Sequence, residues 1–206
     1  MYVPGHSPHP DHSATGADDL YATKPPWDID RPQPALLALA RAGELRGRVL
    51  DIGCGTGEHA LPAAMQGHDA VGVDQSEAAL ETARAKARDR GLTVRFIRHD
   101  ACRLGELAER FDTVLDCGLF HIFDGSPRAA CVDSLRAAIT PGGRYLMVGF
   151  SDPETGTWGP RRLSRTEITE AFGDGWHVDS IEPTELEIIP PPRPGRRLAR
   201  ARDQRR

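Results

Sequence analysis

A chain of 206 residues with 27% charged side chains has the length for one domain with a real hydrophobic core. Its net charge of −4 gives the whole molecule no electrostatic reason to seek nucleic acid. No apolar run approaches the roughly 18 residues of a membrane span. No apolar signal core opens the chain, and Cys54, Cys102, Cys117 and Cys131 form no C-x-x-C pair, which points to a reduced, cytoplasmic protein.

Residues 1–19 carry prolines and glycines and almost nothing apolar, and read as a disordered leader. His6, His9 and His12 recur there at every third position, a spacing that fits either a metal site or a floppy polar stretch. Order is expected from Leu20-Tyr21 onward. Pro25-Pro26-Trp27-Asp28-Ile29-Asp30-Arg31-Pro32-Gln33-Pro34 is then too proline-rich for a helix interior. A Trp on so stiff a backbone is either a lid or a packing anchor. A helix is predicted from Ala35 to about Ala42, ended by Gly43.

Val49-Leu50-Asp51-Ile52 reads as a buried strand, and Gly53, Gly55 and Gly57 follow at alternate positions. Helical periodicity resumes with Ala60 and Leu61. A strand, a glycine turn and a helix start make a ligand cradle with open backbone N–H groups. Glu58 stands where the dinucleotide fingerprint needs its third glycine. An acid there suits a ligand carrying an ammonium or sulfonium better than a pyrophosphate.

A second strand, Ala70 to Asp74, ends on an acid 21 positions after Gly53. At that distance a carboxylate takes ribose hydroxyls in nucleotide-binding α/β folds; the plainer reading is a helix cap. Gln75 follows, and Ser76 caps a helix closed by Gly91. Val94 to His99 is a third strand, with Asp100 and Ala101 at its end, where an acid accepts from an adenine amino group or simply closes a turn. A short helix over Leu104 to Glu109 precedes a fourth strand, Phe111 to Cys117. Gly118-Leu119-Phe120-His121-Ile122-Phe123 leaves that strand's C-terminal end. Ser126-Pro127 starts a helix to about Ile139. Pro141-Gly142-Gly143 turns the chain into a fifth strand, Arg144 to Phe150.

A loop with Trp158 comes next, then a Ser164/Glu167 capping box opening a helix to about Phe172. Trp176 to about Glu182 is predicted as a sixth strand. Residues 191–206 form an Arg-rich tail with no aromatic residue for base stacking, which favours a solvated tail over an RNA-binding one. Strands alternating with helices imply a parallel, doubly wound sheet, in which ligands bind outside the strand C-terminal ends. Gly53 to Gly57, Asp74, Asp100, Asp116 to His121 and Phe150 all fall at such ends.

Asp51 with G-x-G-x-G resembles motif I of the class I S-adenosylmethionine-dependent methyltransferases. The order of motifs from Val49 to Phe150, about half of the chain, follows that family. Pro-Pro-Trp-Asp-Ile-x-Arg-Pro-Gln-Pro and Asp-Cys-Gly-Leu-Phe-His-Ile-Phe resemble its bacterial thiopurine and heterocyclic-toxin methyltransferases. The resemblance implies a Rossmann-like, seven-stranded, mostly parallel sheet ordered 3-2-1-4-5-7-6, and S-adenosyl-L-methionine as cofactor. It implies that Asp51, Gly53, Gly55 and Gly57 surround the methionyl moiety with Trp27 near it. Asp74 would hold the ribose and Asp100 the adenine, Asp116 and Cys117 would flank the sulfonium, and Cys54, Gln75 and Ala101 complete the cofactor-binding set. The only candidate for a seventh strand, Arg196 to Arg202, is heavily charged around Leu198.

These readings give methyl transfer to an O, N or S atom of a small aromatic or heterocyclic molecule. His121 is the candidate base, or else a core histidine. Tyr21, Phe120, Phe123, Phe150 and Trp158 are candidate pocket walls. A nucleic-acid (RNA) methyltransferase is the alternative, but Asp116-Cys117-Gly118-Leu119 lacks the Pro-Pro-aromatic pattern of the amino-group enzymes. A non-catalytic cofactor-binding protein is a third. No metal is expected, because Gly149-Phe150-Ser151-Asp152 offers one acid where a catechol-type enzyme needs an Asp-Asn pair.

Overall fold

The computed structural model describes residues 16–152 and 161–189. The leader histidines, Trp158, the Arg-rich tail and the candidate strand at 196–202 lie outside them.

In chain order the elements are α1 (Pro34–Arg41), β1 (Arg48–Ile52), α2 (Ala60–Met65), β2 (Asp69–Asp74), α3 (Glu77–Asp89) and β3 (Arg95–Arg98). Then come β4 (Phe111–Cys117), α4 (Gly125–Ala138), β5 (Ile139–Val148) and α5 (Arg165–Ala171). Three 3₁₀ turns intervene, at Asp19–Tyr21, Ala101–Leu107 and Phe120–Ile122. The strands form one parallel sheet in the order β3-β2-β1-β4-β5. The order reverses between β2 and β4, on either side of β1, so a crevice opens beyond the C-terminal end of β1.

Alternate residues of the central strands feed two apolar layers. Val49, Ala70 and Leu115 pack with Ala40 of α1 and Ala63 of α2 on one face. Leu50, Ile52, Val71, Val73 and Val114 meet Leu104, α4 and Phe172 on the other. Burial on both faces is what makes these strands read as near-continuous apolar runs. Ser76 caps α3 by accepting from Ala79 N at 3.2 Å, and Ser164 and Glu167 form the reciprocal capping box at α5.

The sheet departs from the sequence reading at its later edge. Trp176 to Glu182 forms no strand, so five strands are present among the described residues. The extended segment that follows has its hydrogen bonds met from elsewhere. The Gln33 side-chain amide donates to Glu187 O at 2.8 Å and accepts from Glu187 N at 2.9 Å. Ile189 N donates to Pro26 O at 2.7 Å. Trp176 and Val178 pack onto the core as side chains, without joining the ladder. β5 also starts earlier than predicted, at Ile139, with a register shift opposite Phe111 and Thr113 that absorbs the Pro-Gly-Gly turn.

Candidate active site

β1 delivers Asp51 and then the glycine turn into the crevice. Gly55 has φ +50°, and a Cβ there would stand 2.5 Å from the Tyr21 hydroxyl. Gly57 has a different reason to be glycine. Its Cβ would meet Phe96 Cζ at 2.9 Å and Ala83 Cβ at 3.1 Å. The turn is therefore pressed onto β3 and α3 at Gly57, which packs instead of facing a ligand.

The four acids are held in different ways. Asp51 is buried; its Oδ2 accepts from Ala60 N at 3.0 Å, while its Oδ1 is buried with no hydrogen-bond partner. The first N–H of α2 is thus taken by the protein, correcting the expectation of open donors at that helix start. Burial, reinforced by Asp116 and Asp74 nearby, pushes the Asp51 carboxyl well up. Asp74 accepts from Gly55 N and Ser76 N, both at 2.8 Å, binding the end of β2 to the glycine turn. Burial raises its pKa as well. Gln75 is half-buried, and its carbonyl accepts from Arg98 Nε at 3.0 Å. Asp100 caps the turn after β3 by accepting from Cys102 N at 2.8 Å, with Ala101 buried behind it. Each carboxylate oxygen has two acceptor sites, so one backbone bond leaves room for a ligand donor.

Asp116 is occupied more fully. It is buried at the end of β4 and accepts from Leu119 N at 2.8 Å, Phe120 N at 2.9 Å and the Tyr145 hydroxyl at 2.6 Å. Its work is to shape the loop leaving β4, and its pKa is raised by burial to about 6. Cys117 beside it is half-buried, and burial pushes its thiol up. Cys54 is buried at the glycine turn with its thiol likewise raised.

The loop after β4 carries His121, 4% exposed, whose Nδ1 accepts from Phe150 N at 3.1 Å. Accepting at Nδ1 places the proton of the neutral ring on Nε2. A base working through Nε2 would need the opposite tautomer, so the geometry favours a brace between this loop and the end of β5. Phe150 is half-buried, its ring edge-on to His121 at 5.4 Å. Phe120 does not wall an open pocket: it is fully buried, 5.1 Å from the Phe172 ring. Phe123 also packs onto the core.

A segment from Asp18 to Gln33 lies across the crevice. Asp18 accepts from Ser76 Oγ at 2.8 Å and Ala78 N at 3.2 Å. Burial and Asp74 push the Tyr21 phenol up, and Trp27 beside it opposes that shift. Trp27 itself is 45% exposed, too open for a packing anchor. Thr56 Oγ1 donates to Asp28 Oδ2 at 3.1 Å and accepts from Lys86 Nζ at 2.8 Å. Lys86 also donates to Glu58 Oε1 at 2.7 Å. Glu58 is therefore paired with α3 through Oε1, while its buried Oε2 has no hydrogen-bond partner. Asp18, Lys86 and Tyr145 were not singled out from sequence, since none sits in a motif, and Thr56, inside the glycine motif, was passed over as a spacer; only the fold brings their side chains in.

The resemblance read from the sequence has independent support. Residues 49–143 match the methyltransferase domain family. Over 175 residues the chain is 37% identical to 2-heptyl-1-hydroxyquinolin-4(1H)-one methyltransferase of Mycobacteroides abscessus, covering 82% of this chain and 76% of that protein. The chain belongs to the class I S-adenosylmethionine-dependent methyltransferases. It is 29% identical to a probable thiol methyltransferase of Arabidopsis thaliana, over 80% of this chain and 74% of that one. A solved structure from work on conversion of a disulfide bond into a thioacetal group during echinomycin biosynthesis superposes with a TM-score of 0.79. It is 36% identical and covers 85% of this chain and 84% of that one.

As a methyltransferase of this class, the protein takes S-adenosylmethionine as cofactor. The site built above fits that group. Asp51 Oδ1 is a buried acceptor lacking a donor, which a cofactor ammonium could satisfy. The bare α-carbons of Gly53 and Gly55 make room for Leu119 and the Tyr21 hydroxyl, which bound the turn. Asp74 and Asp100 stand at the ends of successive strands on the same side of the switch point. No helix among the described residues is long and apolar enough to cross a membrane.

Proposed function

We propose that this methyltransferase methylates an O, N or S atom of a small aromatic or heterocyclic molecule. The observation that carries the site assignment is the unpartnered Asp51 Oδ1 at the foot of the glycine turn. On this reading Asp51, Gly53, Cys54 and Gly55 hold the methionyl end, Asp74 and Gln75 the ribose, and Asp100 and Ala101 the adenine. The substrate class is supported by two relatives whose names specify a hydroxyquinolone and a thiol.

The cofactor supplies a methyl carbon made electrophilic by its sulfonium. The chain's own residues then bind, orient and exclude water. Trp27, beside Tyr21, screens the methionyl end from solvent. Cys117 follows Asp116 at the end of β4, and Asp116 fixes the loop there through Leu119 N and Phe120 N. Phe150, Tyr21 and Trp158 are the proposed acceptor contacts. Holding an acceptor atom in line at near-attack distance supplies much of the rate. His121 keeps that loop against Phe150, so acceptors already ionised, or nucleophilic without losing a proton, suit the site best.

The test is trial methylation of phenols, thiols and N-heterocycles with labelled cofactor, beside an RNA pool. Transfer to at least one small-molecule class and none to RNA is expected. Transfer to RNA alone would overturn the reading, and binding of cofactor without transfer to any acceptor would favour a non-catalytic role.

A further inference from the structure

Cys102 and Cys131 are the cysteines that the methyl-transfer site does not use. Cys102 sits on the 3₁₀ turn Ala101–Leu107, directly after the Asp100 cap; Cys131 lies on α4. Hydrogen bonds on either side of the pair hold these two elements together. Ser134 Oγ, one turn further along α4, donates to Ala101 O and accepts from Leu104 N, both at 2.7 Å. One turn back, Pro127 O lies 3.7 Å from Cys102 Sγ. Pro127 O is the carbonyl one helical turn before Cys131, so between these two clamps Cys102 Sγ lies beside Cys131, packed against the same apolar cluster.

The two thiols are unequal. Cys102 is half-exposed, whereas Cys131 is fully buried. The neighbouring Cys131 thiol lowers the Cys102 thiol, while Cys102 and burial together push Cys131 up. Burial pushes the other two thiols, Cys54 and Cys117, upward. One reachable thiol with a second thiol beside it is the arrangement of a redox-reactive dithiol.

We propose that Cys102 and Cys131 form a peroxide-reactive dithiol that closes to a disulfide, fastening the Asp100 turn to α4. The Cys102 thiolate attacks one oxygen of hydrogen peroxide. An S–O bond forms, the O–O bond breaks, and hydroxide leaves as water with a proton from solvent. The Cys131 thiol then attacks the Cys102 sulfenic sulfur. An S–S bond forms, the S–O bond breaks, and the hydroxyl leaves as a second water with the Cys131 proton. Two thiols are oxidised by two electrons and one peroxide is reduced to two waters.

The experiment treats the full chain with hydrogen peroxide, then denatures and alkylates it for peptide mass spectrometry. Alkylatable thiols should fall from four to two, with one cross-linked species joining the Cys102 and Cys131 peptides and dithiothreitol restoring four. In Cys131→Ala, dimedone should trap a sulfenic acid on Cys102. Should that variant not fold, Cys102→Ser, at a half-exposed position, should leave Cys131 reduced and give no bridge. Four thiols still alkylatable after peroxide, or a bridge involving Cys54 or Cys117, would overturn the proposal.

Discussion

The Tyr21 hydroxyl occupies space beside the bare α-carbon of Gly55, 2.5 Å from where a Cβ would stand. The segment before α1 is thereby seated on the glycine turn, and Trp27 lies beside the same hydroxyl. Trp27→Ala should weaken S-adenosylhomocysteine binding and slow turnover together, because it uncovers the methionyl end. Tyr21→Phe should reproduce part of both losses by loosening the segment's seat on Gly55. Calorimetry and initial rates measure the two effects; a Trp27→Ala enzyme with unaltered affinity and rate would remove Trp27 from the site.

Gln33 holds the later part of the chain against this segment through its two bonds to the Glu187 backbone. The amide is buried. Gln33→Ala should therefore cost about 1–3 kcal/mol, since the peptide group loses both partners in a partly dry setting. Amide exchange at Glu187 should speed up while exchange in β1 and β4 stays slow. Equal exchange at Glu187 in both proteins would show that the segment is held by other contacts.

Most of the sheet was legible because its strands are buried on both faces, leaving unbroken runs such as Val49 to Ile52. The acids at strand ends were legible because spacing from the glycine turn is a local property. The failures share a cause. Glu58 looked unpaired because Lys86, its partner at 2.7 Å, is 28 residues away in sequence. Trp176 to Glu182 looked like a strand because no pattern in it shows that Gln33 and Pro26 serve the next segment's backbone. Phe120 and Phe150 look alike in sequence, and only tertiary packing buries the one and leaves the other at the crevice.

Asp116 predicts a pH dependence. Burial lifts its folded pKa from 3.8 to about 6. The folded state therefore holds this proton more tightly than the unfolded chain. Stability from this group is fully present below pH 3.8 and is lost as pH rises through 6. Tyr145→Phe removes a donor that favours the carboxylate, so the upper edge of the window should move to higher pH. Urea midpoints measured across this range in both proteins test the sign; a window unchanged by Tyr145→Phe would contradict the role given to the hydroxyl.

His121 is read as a brace, which His121→Ala can test. The variant should lose roughly 1–3 kcal/mol of stability, because Phe150 N loses its acceptor. Its rate loss should be uniform across acceptors. A rate loss of about 10²–10⁴ confined to acceptors that must shed a proton, with stability intact, would instead make His121 a general base.

The central claim is that Asp74 holds the cofactor's ribose, and titration of S-adenosylhomocysteine into wild type, Asp74→Ala and Ser76→Ala tests it most directly. Asp74→Ala also removes the bonds from Gly55 N and Ser76 N, so its thermal midpoint will fall. Ser76→Ala loses the α3 cap and serves as a destabilised control that keeps the carboxylate. The account predicts an affinity at least about tenfold weaker in Asp74→Ala, or roughly 1.4 kcal/mol, with Ser76→Ala within about threefold of wild type. Equal affinity in all three proteins, or equal losses in both variants, would contradict it.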